Sequence, residues 1–126
     1  MTDQTIRSPT GPRAAAISDG VVRILREQTG RGPTEARTTI HGDLVACVLH
    51  DTLTVGERTL VADGQSEVVL TLRKRYQDAM RSALEAEVEK HTGRPVIAFM
   101  SDNHIDPDVG IEAFILGPER DDGRPT

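Results

Sequence analysis

Six consecutive apolar residues, Leu44-Val45-Ala46-Cys47-Val48-Leu49, constrain this chain more than any other segment. A strand with one face in water alternates apolar and polar side chains, because successive residues point to opposite sides. An unbroken run leaves no face for water, so it predicts a central strand in a sheet covered on both faces. The surrounding stretch reads as two strands, residues 34–41 and 43–50, hinged at His41-Gly42-Asp43.

Helical periods flank this pair. Ile17, Val21, Ile24 and Leu25 form one stripe over residues 14–29, with Gly30 at the capping position and Gly20 as a weak point inside. Thr54-Val55-Gly56-Glu57 has the form of a capping box and predicts a short helix over 55–63, ended by Gly64. The longest period runs from Glu67 to His91 through Val69, Leu72, Tyr76, Met80, Leu84 and Val88. It predicts a helix of roughly 25 residues, about 37 Å long, stopped by Gly93 and Pro95. Two more strands close the chain, 96–101 and 109–116. The last alternates Val109, Ile111, Ala113 and Ile115 against Gly110, Glu112, Phe114 and Leu116. The order α-β-β-α-α-β-β predicts an α+β fold, an antiparallel four-stranded sheet with helices packed on one face.

The chain has 126 residues, enough for one domain. Residues 14–117 are expected to form it, with 1–13 and 118–126 as disordered tails too poor in apolar side chains to offset their ordering entropy. Tyr76, Phe99 and Phe114 are the only aromatics. A core this lean in large side chains predicts a homodimer or higher homo-oligomer. The net charge of −5 argues against a general polyanion binder. The single Cys47 excludes an intrachain disulfide and fits a reducing cytoplasm. No apolar run approaches the ~18–20 residues of a membrane span, so a soluble cytoplasmic protein without direct membrane insertion is expected.

Two stretches invite a binding role. The turn Gly30-Arg31-Gly32-Pro33-Thr34 and the following Arg37 form a candidate anion site, with Arg31, Gly32, Thr34 and Arg37 as its residues. It matches neither the phosphate-binding nor the dinucleotide-binding glycine motif and leads into a strand, so a helix stop with solvated arginines competes with that reading. In FMSDNHIDPDVG, Asp102, His104, Asp106 and Asp108 recur at every second position. As an EF-hand loop it fails, with Pro107 where glycine belongs and Ala113 where the bidentate glutamate belongs. Its turn-forming residues favour the connection of the last hairpin, with Asp102, His104 and Asp106 as a candidate ligand tip. The remaining polar features read as structural. Arg73-Lys74-Arg75 and the acidic run Glu85, Glu87, Glu89 are expected on solvated helix faces, and Cys47 is expected to be buried and inert. No nucleophile-base set, metal site or cofactor motif emerges, so no enzyme activity is expected.

Gly30-Arg31-Gly32-Pro33 before a strand, Leu53-Thr54 with Glu57 opening a helix, Thr92-Gly93 before a strand, and Ser101-Asp102 in the last hairpin occur in one order. Together these elements, over residues 14–117, are similar to the MpsC family. The family's name links it to a sodium-translocating, membrane-potential-generating system whose membrane components resemble inorganic-carbon uptake systems. The resemblance carries over no catalytic residues. It implies a non-catalytic accessory or regulatory protein, with a membrane transport protein as partner and a cytoplasmic, peripheral location. Two other classes compete. The element order matches the type II KH fold, but the loop between its paired helices reads Ala62-Asp63-Gly64-Gln65-Ser66-Glu67, with one glycine and two acids, so nucleic-acid binding is not expected. A small-anion or metal sensor is the other.

Overall fold

The computed structural model describes residues 11–119. The apolar run forms Leu44–His50 (β2), an interior strand between Glu35–His41 (β1) and Val109–Leu116 (β4). Val96–His104 (β3) completes the order β1-β2-β4-β3, with every pair antiparallel. The helices are Pro12–Thr29 (α1), Val55–Ala62 (α2) and Ser66–Thr92 (α3). The chain is therefore α+β in the expected order α-β-β-α-α-β-β. The expected tails 1–13 and 118–126 fall largely outside the described residues. Pro12 and Arg13, assigned to the first tail, instead open α1, where a proline lacks no useful amide.

Local signals place the helix ends. Gly30 and Gly93 adopt left-handed φ of 82° and 71° and return their amides to Arg26 O and Glu89 O. Thr54 Oγ1 accepts the Glu57 amide while Glu57 Oε1 accepts the Thr54 amide, the reciprocal box that starts α2.

The core lies between one face of the sheet and the pair α1 and α3. Ile17 and Val21 from α1, Leu84 and Val88 from α3, and Val45, Cys47 and Phe114 from the sheet are all fully buried. Phe99 tilts against Phe114 with ring centroids 5.3 Å apart, and the Arg81 guanidinium stands over Phe99. The other face of the sheet carries Leu44, Ala46 and Val48 of β2 and Ile111, Ala113 and Ile115 of β4, with Leu44 and Ile111 about two-fifths exposed. One half of the apolar run is thus packed against helices, and the other half faces outward.

Several expectations change. The buried stripe of α3 runs through Val69, Arg73, Gln77, Met80, Leu84 and Glu87 with Val88. Leu72 and Tyr76, expected inside, are more than a third exposed. The helix turns this way because Arg73 finds polar partners beneath it. Glu87, expected on a solvated face, is buried between Arg23 Nη2 at 2.9 Å and His91 Nε2 at 3.0 Å. Glu89 accepts the Val96 amide. Finally, β3 continues past Ser101 to His104, so the reversal occupies only residues 105–108.

Gly20 of α1 packs directly against the Glu87 side chain of α3. A β-carbon there would fall on the Glu87 carboxylate. Gly20→Ala gains ~1 kcal/mol of helix propensity but overpacks a filled contact, which costs about 1–3 kcal/mol, and displaces Glu87 from its two partners. We expect net destabilisation, read as a lower urea midpoint at unchanged slope; a raised midpoint would show that the helices part without cost.

Candidate functional site

A polar row crosses the packed face of the sheet. Pairing aligns Thr38 of β1 with Cys47 of β2, Cys47 with Glu112 of β4, and Glu112 with Ser101 of β3. Strand alternation sends all four toward the helices. Thr38 is satisfied by Ser18 of α1, whose Oγ lies 2.7 Å from Thr38 Oγ1. Glu112 Oε1 and Ser101 Oγ are buried without a hydrogen-bond partner among the described residues.

Above this row α3 delivers Arg73, and all five of its N–H donors are used. Nε and Nη2 grip the two oxygens of Glu57 at 3.1 and 2.6 Å. Nη2 also donates to Thr52 O at 2.8 Å, and Nη1 donates to Thr52 Oγ1 at 2.8 Å and Asn103 Oδ1 at 3.1 Å. One guanidinium thereby joins α2, α3, the 52–53 segment and the end of β3. Asp108 holds the same segment from the hairpin turn. Its Oδ1 accepts the Thr52 amide and hydroxyl, and its Oδ2 accepts the Leu53 amide at 2.9 Å.

Between row and helix lies a cavity of about 30 Å³, walled by Leu25, Leu49 and Met80 on its apolar side and by Arg73, Asn103 and Glu112 on its polar side. Its size suits a water-sized guest. Burial disfavours the charged carboxylate and pushes Glu112 up to about 7, while Ser101 and the positive charge of Arg73 act weakly in the opposite direction. Glu57 is also desolvated, yet its bonds to Arg73 and the Thr54 amide outweigh that and hold it below the usual carboxylate range. Desolvation drives the Cys47 thiol up to about 11, against the Thr38 hydrogen bond and helped by Glu112, so it stays protonated and a poor nucleophile. The site can therefore take up and release a proton near neutrality at Glu112. Among the described residues no group of three or more His, Cys, Asp or Glu side chains is placed to hold a metal.

The sequence-derived candidates lie elsewhere or bond inward. Arg31 reaches the cavity rim but its Nε donates to Asp51 O, and Thr34 donates to Asp51 Oδ2 at 2.6 Å. Gly32 packs beside the Arg26 guanidinium. The Arg31 and Thr34 amides are occupied by Thr29 Oγ1 and His50 O. Arg37 points to the opposite face of the sheet, where it pairs with Glu35. Asp102 and His104 share that outward face on β3, whereas Asp106 sits exposed in the turn. Asp102 accepts the Asn103 amide, and His104 Nδ1 lies 2.8 Å from Pro107 O.

From sequence, Arg73, Asn103 and Glu112 have no site role, and Glu57 reads only as the capping-box residue of α2. Glu112 left a visible sign, a carboxylate on the strand face that also carries Phe114 and Leu116. Arg73, expected on a solvated face, left none, because its partners lie 16 to 30 residues away.

Two outcomes follow. Arg73→Met strands Glu57 as an unpaired buried charge and should cost about 3–5 kcal/mol, measured by chemical denaturation; a loss under 1 kcal/mol would reduce the network to a surface pair. For Glu112, the folded carboxyl keeps its proton to about 7 and the unfolded one only to 4.5. Between those values the folded state binds more protons, so this group's contribution falls as pH rises, by roughly 3 kcal/mol in all. Glu112→Gln should flatten that decline and be the more stable chain at about pH 8. Parallel stability-pH curves for the two chains would contradict it.

A family model described as Na+-translocating membrane potential-generating system (MpsC) matches residues 10–117. No curated protein and no solved structure matches the chain. The matched span contains every helix and strand described above, from Pro12 to Leu116, including the Arg73 network and the Glu112 row. The chain belongs to the MpsC family.

Proposed function

We propose that this protein is an accessory or regulatory component of a sodium-translocating, membrane-potential-generating system, acting by binding a membrane transport protein rather than by catalysis. The family match over residues 10–117 carries this reading. Two features support it. No helix among the described residues is long and apolar enough to cross a membrane, so these residues offer no helical span of their own. The best-organised polar groups, Arg73, Glu57, Thr52 and Asn103, spend their hydrogen bonds on one another, which suits a rigid scaffold better than a reaction centre.

Affinity purification of the tagged full chain from solubilised membranes of its own cell should recover an ion- or inorganic-carbon-transport protein. Deleting the gene should lower the sodium-dependent membrane potential, and re-expression should restore it. Recovery of no transport protein, together with an unchanged potential, would overturn the proposal.

A further inference from the structure

We propose that the outward face of the sheet binds a second copy of this chain, the two sheets packing face to face about a two-fold axis parallel to their strands. The face is a regular grid. Strand pairing aligns Glu35, His50, Val109 and His104 in one row across the sheet, and Arg37, Val48, Ile111 and Asp102 in the next. Thr39, Ala46, Ala113 and Met100 form the third row, and His41, Leu44, Ile115 and Ala98 the fourth. The two middle strands are apolar apart from His50. Charge is confined to the edge strands, the arrangement of an apolar interface core inside a polar rim.

The grid is self-complementary in one orientation. A two-fold axis along the strands keeps each row opposite itself and exchanges β1 with β3, and β2 with β4. Arg37 then stands over Asp102 of the second copy and Glu35 over His104, each pair occurring twice. In the centre Val48 meets Ile111, Ala46 meets Ala113, and Leu44 meets Ile115. The small Ala46–Ala113 row lets the sheets approach to the ~10 Å of packed sheets. An axis across the strands would instead set Asp102 over Met100 and Arg37 over Thr39, leaving charges without partners. Charge complementarity therefore selects both the occupant and its orientation.

Size is adequate. Four strands of seven residues cover roughly 19 by 23 Å, which with side-chain relief reaches the lower range of a stable dimer interface. Three large apolar side chains that such packing would cover stand exposed, Met100 at 53%, Leu44 at 41% and Ile111 at 38%, although Val55 and Ile97, outside the grid, are more exposed. The second face demanded by the unbroken run Leu44–Leu49 would be supplied by the partner. This inference is independent of the proposed transport role, since it concerns the purified chain alone.

Sedimentation equilibrium of the full chain should show a dimer. Ile111→Lys, with helix content checked by circular dichroism, should give a folded monomer. Arg37→Asp and Asp102→Arg should each weaken self-association at least about tenfold, because like charges then oppose twice per interface. Mixing those two variants should restore dimerisation, since both 37–102 pairs in the mixed dimer again join opposite charges. A monomeric wild type at high micromolar concentration would overturn the proposal. So would a dimer indifferent to all three substitutions, or variants that weaken association but fail to recover on mixing.

Discussion

The bonding of Arg73 is the interaction on which the rest of this architecture depends. Removing a guanidinium from water costs several kcal/mol, and mutual attraction with a carboxylate offsets that only when the remaining donors are also met. Here the fork of Arg73 meets Glu57 bidentately and its other hydrogens meet Thr52 and Asn103. A lysine would supply three donors without the planar fork and could not hold Glu57 in the same way. The consequences spread outward. Glu57 is fixed on Arg73 while its backbone amide and carboxylate also close the capping box of α2, so helix start and helix-helix docking are one arrangement. Asn103 is fixed near the end of β3, tying that strand to α3.

The same network explains why Glu112 is an exception among the buried acids. Glu57 and Glu87 each have a cation in direct contact. Glu112 has only the field of Arg73, whose donors are committed elsewhere, and a serine that forms no well-aligned bond. Its desolvation is therefore not offset, and its proton is held to near neutrality. A carboxyl of that kind is stable in a core only in its neutral form, so the packing of β4 beneath α3 is coupled to protonation.

Much of the fold was legible because its signals are local. Caps at Gly30, Thr54 and Gly93, the apolar run of β2 and the alternation of β4 each need only a few neighbouring residues to be read. What escaped is non-local and polar. Apolar periodicity placed Leu72 and Tyr76 inside α3, whereas the helix is rotated so that Arg73 and Gln77 face the sheet, and a scale that counts only apolar residues cannot register an inward arginine. The alternating polar string at 102–108 divides for a related reason. Its extended half, Asp102 to His104, obeys strand alternation, so Asn103 faces inward while its neighbours face out. Its second half is turn, where Asp108 caps the 52–53 amides instead of joining a ligand set. The anion-site residues separate likewise, since Arg37 lies on β1 facing away from Arg31 and Thr34.

Edge and face chemistry in this sheet are connected. Open edges invite pairing with other chains, and charged residues along them are a common deterrent. Both edge strands carry such residues, Glu35 and Arg37 on β1, Asp102 and His104 on β3, and β3 also has a register shift between Val96 and Ala98 that interrupts its ladder. These features oppose the addition of a further strand at either side. They do nothing to shield the apolar middle of the outward face. In the proposed dimer, a sheet guarded at its edges and bare at its centre would pack face-on, and the row that sets Arg37 of β1 against Asp102 of β3 would favour the orientation in which β1 of each copy meets β3 of the other.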